Sequence, residues 1–287
     1  MNRRLKPLLY PILFSVSVKR CLETIPYLGK ILPAYHRTHP LDRQYGTETS
    51  GLVPVQMIAS DKTLLSKINP YCGSQPSVIR RAITALGKTD EYQFVDLGCG
   101  KGRAMIVASE FPFRGISGVE LSPSLAKIAR KNMARVEHLF PERPPAAAME
   151  GNAVTFPLPQ GKLVLFFYHS FGVDLLSQLI RELESFLSAG NGPVFFIYYN
   201  PVHGNLLDAS PSFARWYADT LPYDESELGF GPDTEDSVVI WQSKRGTAAT
   251  PHPHADRPII ITTPLWKAEL EGCATRFASA SETRMAR

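Results

Sequence analysis

Val95-Asp96-Leu97-Gly98-Cys99-Gly100-Lys101-Gly102-Arg103 runs from an apolar strand end into three alternate glycines, and it decides how the rest of the chain is read. Tyr92 to Leu97 is short, largely apolar and rich in β-forming residues. Ala104 to Glu110 reads as a helix, so the glycines make a strand-to-helix turn. Glycine accepts positive φ and lacks the Cβ that would block a close neighbour, so the turn presses backbone against something.

The same alternation extends outward on both sides. Before the turn, Pro76 to Leu86 sets Val78, Ile79, Ala82, Ile83 and Leu86 at helical spacing, with Ser74 as the expected N-cap and Gly87 as the stop. After it, Gly115 to Leu121 reads as a second strand. Ser124 to Arg135 reads as a helix whose face carries Leu125, Ile128, Ala129, Asn132 and Met133, and Ala146 to Glu150 as a third strand. Leu163 to Tyr168 and Val194 to Tyr199 are unbroken apolar runs, the mark of central strands buried on both faces. Between them, Val173 to Leu187 places Leu176, Leu179, Ile180, Leu183 and Leu187 on one side of a helix. Phe213 to Leu221 and Ser237 to Gln242 supply two more strands around the acidic segment Asp224 to Asp236. The expected fold is α/β: a Rossmann-like, doubly wound, mostly parallel seven-stranded sheet with an N-terminal helical extension and a C-terminal tail.

In such a sheet ligands bind beyond the carboxyl ends of the strands where strand order reverses, and the first strand ends there. Two acids frame the turn. Asp96, two residues ahead of Gly98, is placed to accept hydrogen bonds from loop amides or from a ligand's amino group. Glu120, 24 positions later, closes strand two, where a carboxylate accepts both hydroxyls of a ribose. The pattern points to a nucleoside. It is G-x-G-x-G rather than the dinucleotide G-x-G-x-x-G, because Arg103 stands where the last dinucleotide glycine belongs. A ligand ammonium suits Asp96 better than a phosphate does. A tight turn with no ligand is the plainer reading, but glycine alone does not require both acids.

Val95 to Arg103, then Gly118-Val119-Glu120-Leu121-Ser122-Pro123, Gly151-Asn152-Ala153 and Leu163 to Tyr168 resemble the successive cofactor motifs of class I S-adenosylmethionine-dependent methyltransferases, over roughly Tyr71 to Asn200. Asp42 to Gly51 and Tyr198-Tyr199-Asn200-Pro201 also resemble a group of bacterial methyltransferase-like proteins of undefined substrate. The resemblance implies that S-adenosyl-L-methionine is the cofactor. It places Asp96, Gly98, Gly100 and Gly102 at the methionine moiety, Glu120 at the ribose, Leu121 at the adenine face and Asn152 at the adenine amino group, where the family more often has Asp. The methyl acceptor stays open between a protein side chain and a small molecule.

Relatives that methylate nitrogen often carry Asn or Asp, Pro, then Pro or Phe after strand four; His169-Ser170-Phe171-Gly172 stands there instead. His169, with an ordinary pKa of about 6.5, is the candidate general base, set against a plainer role ordering the strand end. Tyr168, with Tyr71 and Phe171, is a candidate for lining the transfer site, set against ordinary packing. Tyr198, Tyr199 and Asn200 read as structural. A nicotinamide-dependent oxidoreductase and a non-catalytic methyltransferase-fold binding module are the alternatives.

The chain's 287 residues, 44% hydrophobic, suffice for one large α/β domain with appendages. Residues 1–51 read as a basic helix and arm, 52–243 as the cofactor-binding domain, and 244–287 as a Thr-, Ala-, Pro- and His-rich tail, partly disordered apart from Ile259 to Thr263. The net charge of +4 is uneven, with eight basic residues against two acidic ones up to Arg43. Leu5, Leu8, Leu9, Ile12, Leu13 and Val16 recur there at helical spacing, an amphipathic helix that covers the domain or contacts a membrane surface or an acidic partner. Leu8 to Val18 is too short to span a bilayer, which takes about 20 residues, and no small-x-small cleavage site follows it. Cys21, Cys72, Cys99 and Cys273 are too scattered for a zinc or disulfide framework, and reduced thiols fit a cytoplasmic protein. His252 and His254 lack partners at metal-ligand spacing, so no metal is expected, and no nucleic-acid surface is legible.

Overall fold

A computed structural model describes residues 36–59, 61–231, 233–245, 252–262 and 267–270. The expected amphipathic helix, Cys21 and Cys273 lie outside them. Seven strands, β1 (Gln93–Leu97), β2 (Gly115–Glu120), β3 (Ala146–Glu150), β4 (Leu163–Phe167), β5 (Val194–Tyr199), β6 (Phe213–Pro222) and β7 (Glu235–Ser243), form one sheet of order β3-β2-β1-β4-β5-β7-β6. β1 to β5 run parallel, and β7 is antiparallel to both β5 and β6. This is a Rossmann-like α/β fold. The strand order turns at β1, which has β2 on one side and β4 on the other, so a crevice opens beyond their carboxyl ends.

The helices are α1 (Pro40–Tyr45), α2 (Val55–Ile58), α3 (Lys62–Leu65), α4 (Pro76–Leu86), α5 (Arg103–Ala108), α6 (Pro123–Leu139), α7 (Val173–Ser188) and α8 (Asn205–Ala209). On one face of the sheet, Ile79 and Ile83 of α4, Met105 and Ile106 of α5 and Met133 of α6 pack on Phe94, Phe166 and Ile197. On the other, Leu176, Leu179, Leu183 and Leu187 of α7 pack on Val95, Leu97, Leu165 and Phe167. Alternate residues of each strand thus serve opposite cores. Each fully buried aliphatic side chain contributes about 1.5–3 kcal/mol, which is why α7 holds without a side-chain N-cap.

Three local readings change. The N-cap of α4 is Gln75, whose side chain makes no capping bond, and not Ser74. The buried Glu227 carboxylate, from a short 3₁₀ turn far along the chain, instead accepts the Ser77 N–H at 2.9 Å and the Ser77 hydroxyl at 2.5 Å. A carboxylate there meets the exposed amides and the positive end of the helix. Within the segment read as helix and arm, residues 40–51 are packed: Leu41, Asp42 and Tyr45 of α1 and Thr47, Thr49 and Ser50 of the turn after it are buried. Order in the tail reaches past the expected exception at Ile259–Thr263: β8 (Ile259–Thr262) forms there and pairs with β9 (Lys267–Leu270), and Ile259, Ile261 and Leu270 join the α7-side core. Among the described residues, no helix is long and apolar enough to cross a membrane.

Candidate cofactor site

Leu97 is the last residue of β1, and the chain then reverses through Gly98, Gly100 and Gly102, all at positive φ (84°, 54° and 82°). The Gly98 and Cys99 amides bond to the Val119 carbonyl, and Gly102 caps α5. The turn walls a cavity at the crevice whose lining includes Asp96, Gly98, Gly100, Glu120, Leu121 and Asn152. Six of the seven expected cofactor residues therefore converge. Gly102 does not: it lies over Ala129, with a would-be Cβ only 3.3 Å from the Ala129 Cβ. It is the αL residue that starts α5.

The loop glycines also answer to protein neighbours. A Cβ on Gly100 would stand 2.3 Å from ring carbons of Tyr71, which lies across the turn and donates its hydroxyl to the Thr49 carbonyl at 2.6 Å. Gly100→Val therefore meets both a strained φ and an occupied neighbour. We expect cofactor affinity to fall at least tenfold, with a loss of about 1–3 kcal/mol of stability, read by calorimetric titration and thermal melting. Affinity within twofold of wild type would remove Gly100 from the site.

Asp96 is 3% exposed and lines the cavity, yet no hydrogen-bond donor among the described residues reaches its carboxylate. Burial, and then the Glu120 charge, push its pKa well above the ordinary carboxylate range. Of the two expected kinds of donor, loop amides do not serve Asp96 among the described residues: those of Gly98 and Cys99 are turned onto the Val119 carbonyl and that of Gly100 onto Glu120. Glu120 takes the Gly100 N–H on Oε2 and the Ser122 N–H on Oε1, each at 2.8 Å. Burial raises its pKa, and these amides lower it in part. Each of its oxygens keeps a lone pair for a further donor. The cavity walls beside Glu120 are apolar, formed by Val119, Leu121, Leu125, Ala153, Phe171 and Leu175. Asn152 Oδ1 accepts the Val154 N–H at 2.9 Å, so its amide nitrogen is the group left to face a ligand.

Behind the turn stands a network the sequence did not disclose. The Asp42 carboxylate, 2% exposed, accepts the Thr47 hydroxyl and both the N–H and hydroxyl of Thr49 on Oδ1, each at 2.8 Å. Its Oδ2 accepts the Ser50 N–H at 2.9 Å and the Ser50 hydroxyl at 2.5 Å. Arg103 Nε donates to the Thr49 hydroxyl at 2.8 Å, and Lys101 Nζ to the Ser50 carbonyl at 2.7 Å. Asn132 of α6 bonds the Glu48 amide and carbonyl, fastening the segment from the other side. The polar, glycine-bounded composition of 42–51 was the available signal; its fold around one carboxylate was not.

Tyr168 lines the cavity, with its ring 4.4 Å from that of Tyr199. His169, expected as the general base, is not among the lining groups. Just past the end of β4, Tyr168 packs with the Phe166 core, while His169 turns the other way, its Nδ1 2.8 Å from the Tyr198 hydroxyl and its ring 5.1 Å from that of His203. Burial, and then His203, lower its pKa to about 3, so the ring stays neutral. Its φ of 41° favours residues that tolerate the left-handed region. His169→Asn is expected to leave cofactor affinity within about twofold by calorimetry; a tenfold loss would put the ring back in the site. Tyr199 and Asn200 bond the buried Asp236. His254 bonds Asp219 at 2.9 Å.

No protein-family model matches this chain, and no curated protein matches it. Among solved structures it is similar to the O-methyltransferase of Bacillus cereus in complex with SAH (14% identity, 59% of this chain and 80% of that one, TM-score 0.39). It is also similar to the 23S rRNA methyltransferase ErmE (11% identity, 60% and 70%, TM-score 0.40). A third is yhhF of Escherichia coli, provisionally named a methyltransferase (17% identity, 57% and 86%, TM-score 0.41). The assignment of the fold rests on the strand order itself.

Proposed function

We propose that this protein is a class I methyltransferase that uses S-adenosyl-L-methionine. The observation that carries the reading is Asp96: a buried carboxylate facing a cavity without a donor, one strand away from a second acid. An unpaired buried charge is costly unless a ligand completes it. The ammonium of a methionine moiety supplies that partner at Asp96, a ribose supplies hydroxyls to the free lone pairs of Glu120, and the apolar wall at Leu121 receives adenine, with Asn152 at its edge. A phosphate beside Asp96 would be repelled, which disfavours the nicotinamide alternative.

When bound, S-adenosyl-L-methionine supplies a sulfonium methyl group that a heteroatom lone pair takes in line, leaving the former C–S electron pair on sulfur. The protein's task is placement, because direct displacement requires neither a covalent enzyme intermediate nor a metal. Tyr168 and Phe171 border the cavity at the end of β4, and we assign Tyr168 to positioning the acceptor. The acceptor is a small molecule or a protein side chain. The reading also takes 52–243 as the catalytic domain, the chain as cytoplasmic, and the basic N-terminal segment as a contact for a membrane surface or an acidic partner.

Mass spectrometry of the purified full-length chain is expected to find co-purified S-adenosylmethionine or S-adenosylhomocysteine. Calorimetry is expected to favour these over NADPH by at least tenfold. A preference for NADPH would overturn the assignment, and binding of the nucleoside without turnover across an acceptor panel would favour the non-catalytic alternative.

A further inference from the structure

We infer that Arg103 holds the carboxylate of the cofactor's methionine moiety, so that Asp96 and Arg103 together grip an α-amino acid group and the protein selects nucleosides that carry one. The inference rests on the methyltransferase reading and adds to it a residue that decides cofactor specificity.

Arg103 is the residue that breaks the dinucleotide pattern, and it opens α5 with 5% of its surface exposed. A guanidinium cannot shed its charge, and a buried one without a counterion is costly. Among the described residues it forms no ion pair, since its bonds go to neutral oxygens: Nε to the Thr49 hydroxyl at 2.8 Å and Nη1 to the Ser74 carbonyl at 3.2 Å. Asp42 offsets part of the charge, but it reaches Arg103 only through the Thr49 hydroxyl and already accepts five donors. Nη1 keeps one N–H and Nη2 keeps both, which is the end of the fork that suits a carboxylate. Nη2 has no acceptor among the described residues and is not sealed in protein, so it meets open space.

Of the spaces that Arg103 borders, only the cofactor cavity can seat a carboxylate, because the smaller one has room for about one water. Ser74, whose carbonyl takes Nη1, lines the cofactor cavity and not the smaller space. Asp96, the acid without a donor, lines the same cavity. These two charges do not neutralise each other: the raised pKa of Asp96 answers to burial and Glu120, not to Arg103. Both nevertheless reach the Tyr71 hydroxyl, whose pKa burial raises, Arg103 lowers, and Asp96 is among the charges that raise. One cavity thus presents a carboxylate and a guanidinium around Tyr71, too far apart to pair. A ligand that satisfies both must carry opposite charges a short distance apart. An α-amino acid group has them on a single carbon, and a charge-assisted bond of about 2.8 Å at each end completes the bridge. A lone amine would serve Asp96 only, and a phosphate Arg103 only.

The test is a calorimetric titration of the full chain with S-adenosylhomocysteine and with S-adenosyl-3-thiopropylamine, which keeps the amine and lacks the carboxylate. Wild type is expected to bind the decarboxylated ligand at least tenfold more weakly. Arg103→Gln should lose at least tenfold for S-adenosylhomocysteine and bind the two ligands within threefold of each other. Arg103→Lys, which keeps the charge without the fork, should weaken S-adenosylhomocysteine severalfold and leave the decarboxylated ligand within twofold; this arm and the wild-type comparison stand if Arg103→Gln fails to fold. Equal affinity of wild type for the two ligands would overturn the inference, as would an undiminished carboxylate preference in Arg103→Gln or an equal loss for both ligands in Arg103→Lys. A wild-type chain that binds neither ligand would overturn the methyltransferase reading itself, and the role of Arg103 with it.

Discussion

Asp96→Asn is expected to make the ligand-free protein more stable and to abolish useful cofactor binding. The wild-type carboxyl sits in a buried place without a donor, and burial and the Glu120 charge hold its pKa well above the ordinary value. A carboxyl with a raised folded-state pKa binds its proton more tightly in the native state. The folded state therefore loses stability as pH rises from the ordinary carboxylate range, about 4, towards the raised value. The neutral amide escapes that loss. At pH 7 the variant should gain about 1–3 kcal/mol, a shift in Tm of roughly 3–10 °C, and the gain should shrink towards zero near pH 4. Affinity for S-adenosylmethionine should fall by at least tenfold, since a charge-assisted bond to the ligand ammonium is lost. In the wild type, affinity should rise with pH as Asp96 gives up its proton on binding, and that dependence should be absent from the variant. A variant less stable than wild type at every pH would mean that the carboxylate has a protein partner after all. Stability given up for a ligand's charge is the usual sign of a working site.

Asp42→Ala is expected to have the largest structural effect outside the two cores. It removes one carboxylate and leaves two backbone amides and three hydroxyls without their acceptor in a buried segment. It also strips Arg103 of its relayed countercharge. Losses of this kind run to about 3–5 kcal/mol, or roughly 10 °C or more in Tm. Burial alone would raise the Asp42 pKa, but Arg103 and the Ser50, Thr47 and Thr49 hydroxyls outweigh it, and the net shift is downward. Its contribution is therefore present above the ordinary carboxylate pKa and fades as pH falls below about 4 through the lowered value. The Thr49 carbonyl also anchors the Tyr71 hydroxyl above Gly100, so cofactor affinity should drop as well, even at temperatures where the variant is folded. Asp42→Asn, which keeps an oxygen on one side, should fall between the two. Melting within 1 kcal/mol of wild type for Asp42→Ala would show that water satisfies the segment and that it does not brace the site.

Sequence alone determined the seven strands, the three long helices that cover them and most of the lining of the candidate site. Short unbroken apolar runs rich in β-forming residues at Leu163–Phe167 and Val194–Tyr199 pointed to strands covered on both faces, and helical spacing in Val173–Ser188 picked out its buried leucines. The two acids and the glycines were legible because they belong to one continuous turn and the neighbouring strand end, where local spacing fixes position. What tertiary structure decided are relations between distant residues. That β7 enters between β5 and β6, that Glu227 caps a helix 150 residues earlier, and that Asp42 organises a loop beneath Arg103 are matters of packing. His169 is the sharpest instance: beside Tyr168 in sequence it looks equally poised for chemistry, but only the assembled fold shows that Tyr168 lines the cavity while His169 turns to Tyr198 and His203.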